Sequence, residues 1–252
     1  MIAALRTALI VTALSSLFFL NGCVSSAKSN KEKLINRCSA PAKVNSAGYS
    51  TKGKPITYTT LGNGENVTLL FASIHGSERA GTPILRHFQN YLLENCELLD
   101  GKTVIIIPIV NPDGFEKKTR YNANGIDLNR NFPAPNRENS KTNGSFALSE
   151  IESYELYKII NIYKPSKILA FHEALNCIDY DGPAEELAKR LADKCKLPFK
   201  KVGARPGSLG SYVGLELNKQ IITVEMTKDD SKASEAKLWN DYKDMLIEAI
   251  NF

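Results

Sequence analysis

Two apolar runs, residues 67–74 (VTLLFASI) and 103–110 (TVIIIPIV), constrain the fold of this chain most strongly. Each has the length of a strand and is dense in β-branched residues. Neither alternates polar with apolar positions, so both faces of each strand must be covered. Helices packed on both sides of a sheet provide such cover. Residues 167–171 (KILAF) and 220–226 (QIITVEM) are shorter runs of the same kind, and helical periodicity marks residues 82–95, 149–163, 184–194 and 234–250. The expected fold class is therefore α/β, with helices on both faces of one sheet. A length of 252 residues suits a single domain, and no internal repeat or low-complexity segment interrupts it.

The 32 Lys and Arg residues against 27 Asp and Glu leave a net charge of +5, a mild excess for this length. No Lys/Arg block is interleaved with aromatics, so nucleic acid is not an expected partner. One connection stands out: about 36 residues dense in Asn, Pro, Gly and Arg separate position 110 from the helix that starts near 147. Loops that long in a compact domain are usually functional or disordered. This one carries Asn111-Pro112-Asp113-Gly114, Arg120 and Asp127-Leu128-Asn129-Arg130-Asn131-Phe132, an arrangement that disorder would not require.

Two of the three histidines follow predicted strands directly: His75 after VTLLFASI, and His172 after KILAF. Ligands of open α/β sheets bind outside the carboxyl ends of the strands, so both imidazoles are expected at one crevice. A catalytic zinc takes about three N or O ligands from protein and keeps a position open. His75, Glu78 and His172 supply that set, with H-x-x-E giving two ligands from one turn. Glu225 lies in the apolar strand ITVEM, among Ile222, Val224 and Met226, where a carboxylate is costly to bury without a partner or a job. Beside a zinc-activated water its job is general base. Arg120 and Arg130 suit an oxyanion and a substrate carboxylate, with the division between them open. His87, in ILRHFQNYL, reads as a helix-surface or packing residue.

These residues, in this order, resemble the carboxypeptidase A-like zinc metallopeptidases: His75-Gly-Ser-Glu78, Asn111-Pro-Asp-Gly114, Lys118-Thr-Arg120, Asp127 to Phe132, Phe171-His172 and Ile222-Thr-Val-Glu225. The likeness covers about residues 55–250. It implies a mixed, mostly parallel twisted sheet of eight strands between helices. One zinc ion would be bound by His75, Glu78 and His172, with Glu225 and Arg120 catalytic and Asn129 and Arg130 holding a substrate carboxylate. The stretches 122–133, 171–177 and 206–211 most resemble members that act on peptidoglycan stem peptides. For those the implied reaction is hydrolysis of the amide between γ-D-glutamate and meso-diaminopimelate. The loop before Pro206-Gly207-Ser208 departs from the family pattern, because it reads Val202-Gly203-Ala204-Arg205 where relatives often have a tyrosine. Tyr212 is therefore expected at the pocket wall as a substrate contact, and Arg205 offers a compensating charge.

The first residues read as an address. Arg6 precedes an apolar run over residues 8–20, and Leu20-Asn21-Gly22-Cys23 follows. The run is shorter than the roughly 20 residues of a bilayer-spanning helix, as in an export leader. The pattern resembles that of bacterial lipoproteins, which implies removal of residues 1–22 and acylation of Cys23. The expected product is a monomeric envelope protein facing the periplasm, with anchor and polar linker over 23–50 and the metallopeptidase domain over 51–252. A plain secretory leader is the alternative. Disulfides persist outside the cytoplasm, and the expected pairs are Cys38–Cys96 and Cys177–Cys195, the second flanking one short segment; free buried thiols are the alternative. Three other activities stay open: a protein carboxypeptidase, a deacylase of acyl-amino acids, and a non-catalytic lipoprotein that binds wall peptides.

Overall fold

A computed structural model describes residues 41–252, so the leader, Cys23 and Cys38 lie outside the described residues. Along the chain the strands are β1 (Ala42–Tyr49), β2 (Pro55–Gly62), β3 (Asn66–Ala72), β4 (Lys102–Ile107), β5 (Lys167–Glu173), β6 (Cys177–Asp181) and β7 (Gln220–Met226). The helices are α1 (Gly81–Glu94), α2 (Pro112–Lys117), α3 (Ile151–Tyr163), α4 (Glu185–Ala192) and α5 (Glu235–Asn251). All seven strands form one sheet in the order β1-β2-β4-β3-β5-β7-β6. The four apolar runs are its centre and pair in parallel; β1, β2 and β6 are added antiparallel at the two sides. Against the eight strands implied by the family resemblance, seven pair among the described residues.

Both faces of the central strands are covered. Leu70, Ala72, Val104, Ile106, Leu169, Phe171, Ile222 and Val224 pack with α1, α4 and α5. The alternate residues Leu69, Phe71, Ile105, Ile107, Ile168, Ala170 and Ile221 pack with α3 and with Leu128, Phe132 and Val213. The unbroken apolar runs are thus two alternating sets read together, one for each face.

Two expectations are corrected here. β1 lies inside the 23–50 stretch expected as anchor and linker, so the sheet begins at Ala42 at the latest. An outer strand needs backbone partners on one side only. β1 is largely exposed and carries no apolar run to announce it. The Cys177–Cys195 pair does not form, and both are free thiols. Cys177 shares a face of β6 with Asp179 and Asp181, while Cys195 packs in the cluster on the opposite face with Ile178, so the sheet separates them. Burial, helped by the charges of Glu225 and Asp179, pushes the Cys177 thiol up to about 11, which leaves it unreactive. Cys96 is disulfide-bonded; Cys38, its expected partner, lies outside the described residues.

Behind the sheet, Asp230 joins the β7–α5 connection to the core. It accepts from Tyr242 Oη (2.7 Å), Lys196 Nζ (2.6 Å) and the Thr227 amide (2.8 Å), and is 1% exposed. Burial opposes its ionisation, but Lys196 and Tyr242 outweigh that cost and hold its carboxyl below the ordinary Asp range. A carboxyl lowered in the folded state stabilises fully above its unfolded pKa, near 3.9 for Asp, and loses that contribution as the pH falls through the folded value. Asp230→Ala should cost about 2–3 kcal/mol in urea unfolding at pH 7, because it strands a buried hydroxyl and an amide. The ionic part of that gap should stay constant above about pH 5 and shrink below about pH 4.

Candidate active site

His172 is a β5 residue, one position from the end of a strand flanked in parallel by β3 and β7, so it stands near the sheet's carboxyl edge. His75 lies three residues beyond β3. Ser73, at φ 53°, turns the chain there, and its hydroxyl binds the Glu78 carbonyl (3.0 Å) and Thr82 Oγ1 (2.9 Å). The Glu78 amide donates to the His75 carbonyl (3.1 Å), closing a turn that places both side chains on one side. Gly76 crosses Gly114 so closely that a Cβ at Gly76 would stand 1.9 Å from the Gly114 carbonyl carbon. Gly76 therefore lets the turn after β3 lie directly against α2.

The expected ligand set comes together. His75 Nδ1 is 2.9 Å from Glu78 Oε1, and His172 Nδ1 is 2.8 Å from Glu78 Oε2 and 3.2 Å from His75 Nδ1. All three residues are buried, and their donor atoms lie within 4.8 Å of one another. Burial opposes ionisation of Glu78, but hydrogen bonds to His172 and His75 outweigh it and hold the carboxyl well below its ordinary range. Two imidazole nitrogens and an ionised carboxylate at the wall of a cavity make the mixed N/O set of a catalytic zinc site with room for another ligand.

A residue quoted in the sequence but given no role there completes the arrangement. Asp127 Oδ1 lies 3.0 Å from His75 Nε2, fixing the nitrogen that faces away from the cluster and so the tautomer that leaves Nδ1 free to ligate. The same carboxylate caps the turn Leu128–Arg130 through the Asn129 amide (3.0 Å). Its Oδ2 accepts from Arg120 Nε (3.0 Å) and Nη2 (2.9 Å). Burial disfavours the charge on Asp127, and His75 and Arg120 more than restore it. Asp127 was readable as part of a motif, but its partner lies 52 residues earlier, beyond the reach of any local pattern.

Arg120 Nη1 lies 3.2 Å from Glu78 Oε1, so the guanidinium is aimed at the cluster. Asn129 Oδ1 accepts the Leu209 amide (2.9 Å), and its Nδ2 is 3.5 Å from His172 Nε2. Arg130 enters the same cavity from the next position. Glu225 is the cross-strand neighbour of His172. The expectation that Ile222, Val224 and Met226 surround it is corrected, because strand alternation sends those three to the opposite face. Glu225 is half-buried, lines the cavity, and binds the Leu175 amide through Oε2 (3.2 Å).

The cavity holds about 210 Å³ and is lined by the His–Glu–His cluster, Arg120, Asn129, Arg130 and Glu225. Asp179, Asp181 and Arg205 line the same cavity, and of these the two aspartates were given no role from the sequence. Their spacing of two on β6 was the available signal. Tyr212 does not reach the cavity, which corrects its placement as a substrate contact. It is 4% exposed, stacks on Phe132 at 6.4 Å, and takes a hydrogen bond from Asn161 Nδ2 (3.3 Å). The coiled turn Ser211–Glu216 points it into the core behind the site. His87 stacks on Trp239 at 4.2 Å, a packing role as expected.

The family model described as zinc carboxypeptidase matches residues 29–201. The chain belongs to the zinc carboxypeptidase family. Among individual relatives, murein peptide amidase A of Escherichia coli strain K12 is 33% identical over 190 residues, covering 68% of this chain and 76% of the relative. Murein peptide amidase A of Vibrio campbellii is 30% identical over 200 residues, covering 72% and 78%. Among solved structures, the murein-tripeptide amidase of Escherichia coli O157 matches with a TM-score of 0.62 and 26% identity, over 86% of this chain and 95% of that one. Carboxypeptidase A of Helicoverpa armigera matches in fold with a TM-score of 0.71 and 18% identity, over 90% and 73%. The protein is thus a zinc metallopeptidase of carboxypeptidase type with the α/β fold of that family.

If His172 is a ligand, His172→Ala should abolish stoichiometric zinc binding measured by metal analysis after dialysis. Asp127→Ala, which removes no ligand but takes away the carboxylate that orients His75, caps the Leu128–Arg130 turn and holds Arg120, should weaken zinc about 10–100-fold in chelator competition.

Proposed function

We propose that this protein hydrolyses the amide between γ-D-glutamate and meso-diaminopimelate in peptidoglycan stem peptides. The observation that carries the reading is the convergence of Asn129, Arg130, the His–Glu–His cluster and Glu225 on one small cavity. Such a site takes the carboxylate of a terminal residue and cleaves the bond before it. The choice of bond rests on the likeness to enzymes named murein peptide amidase A.

His75, Glu78 and His172 would hold the zinc ion, which when bound would supply the Lewis acidity that acidifies water and polarises the scissile carbonyl. Arg130 binds the carboxylate of the leaving residue as a planar fork, and the Asn129 amide, clamped through its oxygen by Leu209, adds a donor. Asp127 grips Arg120 through Nε and Nη2, leaving Nη1 on the cluster's side to donate to the developing oxyanion. The Leu175 amide holds Glu225 by Oε2, so Oε1 is the atom that takes a proton from the attacking water and passes it to the departing amine.

The leader motif and Cys23 support work in the bacterial envelope from a lipid anchor, with stem peptides on murein or on released fragments as substrate. No helix among the described residues is long and apolar enough to cross a membrane. A peptide carboxypeptidase is the second reading, since the same carboxylate grip serves any C-terminal residue.

Mass spectrometry of L-Ala-γ-D-Glu-meso-diaminopimelate and of purified sacculi after incubation with the zinc-loaded protein tests the proposal. Free diaminopimelate should appear from the tripeptide. Cleavage of ordinary C-terminal residues with the tripeptide left intact would replace the amidase by a carboxypeptidase. Glu225→Ala should retain zinc and lose at least about 10²-fold in rate.

A further inference from the structure

The role of the two aspartates that line the cavity goes beyond the chemistry above. β6 turns Asp179 and Asp181 toward the cavity. Their side chains differ in what they have to spare. Asp181 Oδ1 is paired with Lys201 Nζ at 3.1 Å and with the Ala204 amide at 3.1 Å. Asp179 has no such cation: its Oδ1 accepts the Val202 and Gly203 amides at 2.7 and 3.3 Å, and among the described residues no donor meets its Oδ2. Asp179 is only 6% exposed. A carboxylate so deeply placed, pinned by one oxygen and unpaired at the other, has a strong demand for a cation that enters through the cavity.

Its position along the sheet sets what that cation is attached to. Asp179 pairs with Thr223 of β7, whereas Glu225 pairs with Cys177, so Asp179 lies two residues deeper on the same face as the base. Two residues of strand are about 7 Å. A straight chain of four carbons from an α-carbon to an amine nitrogen spans about 6 Å at ordinary bond lengths. An amino acid whose backbone nitrogen leaves near Glu225 therefore brings a side-chain ammonium of that reach to Asp179. Diaminopimelate and lysine both carry it.

We propose that Asp179 is the specificity-determining residue of this cavity. Its free Oδ2 receives the side-chain ammonium of the leaving residue and selects diamino acids over uncharged residues of equal length. The inference rests on the proposed cleavage before a terminal residue but not on the γ-linkage.

The test compares kcat/KM for two pairs of substrates, L-Ala-γ-D-Glu-L-Lys against its L-norleucine counterpart, and hippuryl-L-Lys against hippuryl-L-norleucine, with the meso-diaminopimelate tripeptide alongside. Norleucine keeps the chain and loses the ammonium. The wild-type protein should favour lysine by about tenfold or more, the factor that a hydrogen bond between charged groups sustains. Asp179→Asn keeps an oxygen for the Val202 and Gly203 amides but presents NH₂ in place of Oδ2. It should retain the wild-type melting temperature and zinc content, with its preference falling to within about twofold of unity through loss on lysine substrates. A lysine preference that survives in Asp179→Asn, or a wild type indifferent between lysine and norleucine, would overturn the inference. Cleavage of hippuryl but not γ-glutamyl substrates would remove the amidase reading and leave this inference to be decided by the hippuryl pair. No cleavage of any of them by the zinc-loaded protein would remove both.

Discussion

His172 and Glu225 face the same cavity because β5 and β7 pair in parallel with these two residues opposite one another. Side chains alternate across a strand, so a slip of one residue would carry Glu225 to the face that Val224 and Met226 share with α1, α4 and α5. That register would bury a carboxylate among aliphatic side chains and expose apolar residues in its place, an exchange that costs several-fold more than it could return. The apolar packing on both faces of the central sheet therefore sets the geometry of the polar site. Phe171 and Val224 on one side, and Ile168, Ala170 and Ile221 on the other, hold His172 and Glu225 in step.

The site adds its own order to the loops around it. Glu78 lies between two imidazoles, His75 reaches from Glu78 to Asp127, and Asp127 reaches on to Arg120. Each charge in this chain of contacts thus has a partner of complementary character, the condition under which ionised groups persist out of water. The chain of contacts joins three segments far apart in sequence and ties down the connection between β4 and α3. Asn131 does similar work from within that connection, donating through Nδ2 to the carbonyls of Asn143 (2.9 Å) and Phe146 (3.2 Å). A segment that composition alone describes as a long loop is a scaffold for Arg120, Asn129 and Arg130.

What could be read in advance follows from where the information is stored. β3, β4, β5 and β7 are buried on both faces and announce themselves by continuous apolar runs. The outer strands do not: β1 is mostly exposed, β2 alternates among Thr and Tyr, and β6 is five residues with two aspartates. In the candidate site, His75 and Glu78 share a turn, and His172 ends an apolar strand, so spacing and strand position were enough to propose them together. Asp127 and Asp179 needed the fold, because the groups that give them meaning are brought near only by tertiary contacts. The thiols of Cys177 and Cys195 make the same point in reverse, since closeness along the chain suggested a bond that the sheet between them prevents.

By itself the sequence determined a two-face-covered α/β sheet and the residues able to make a metal cluster with a base, because hydrophobic period and ligand spacing are properties of short segments. Only the tertiary structure decided which face Glu225 takes, that Tyr212 packs in the core, and that Asp127 orients His75 while Asp179 lines the cavity. Those outcomes depend on strand register and on contacts between distant segments, and they become fixed only when both faces of the sheet are packed at once.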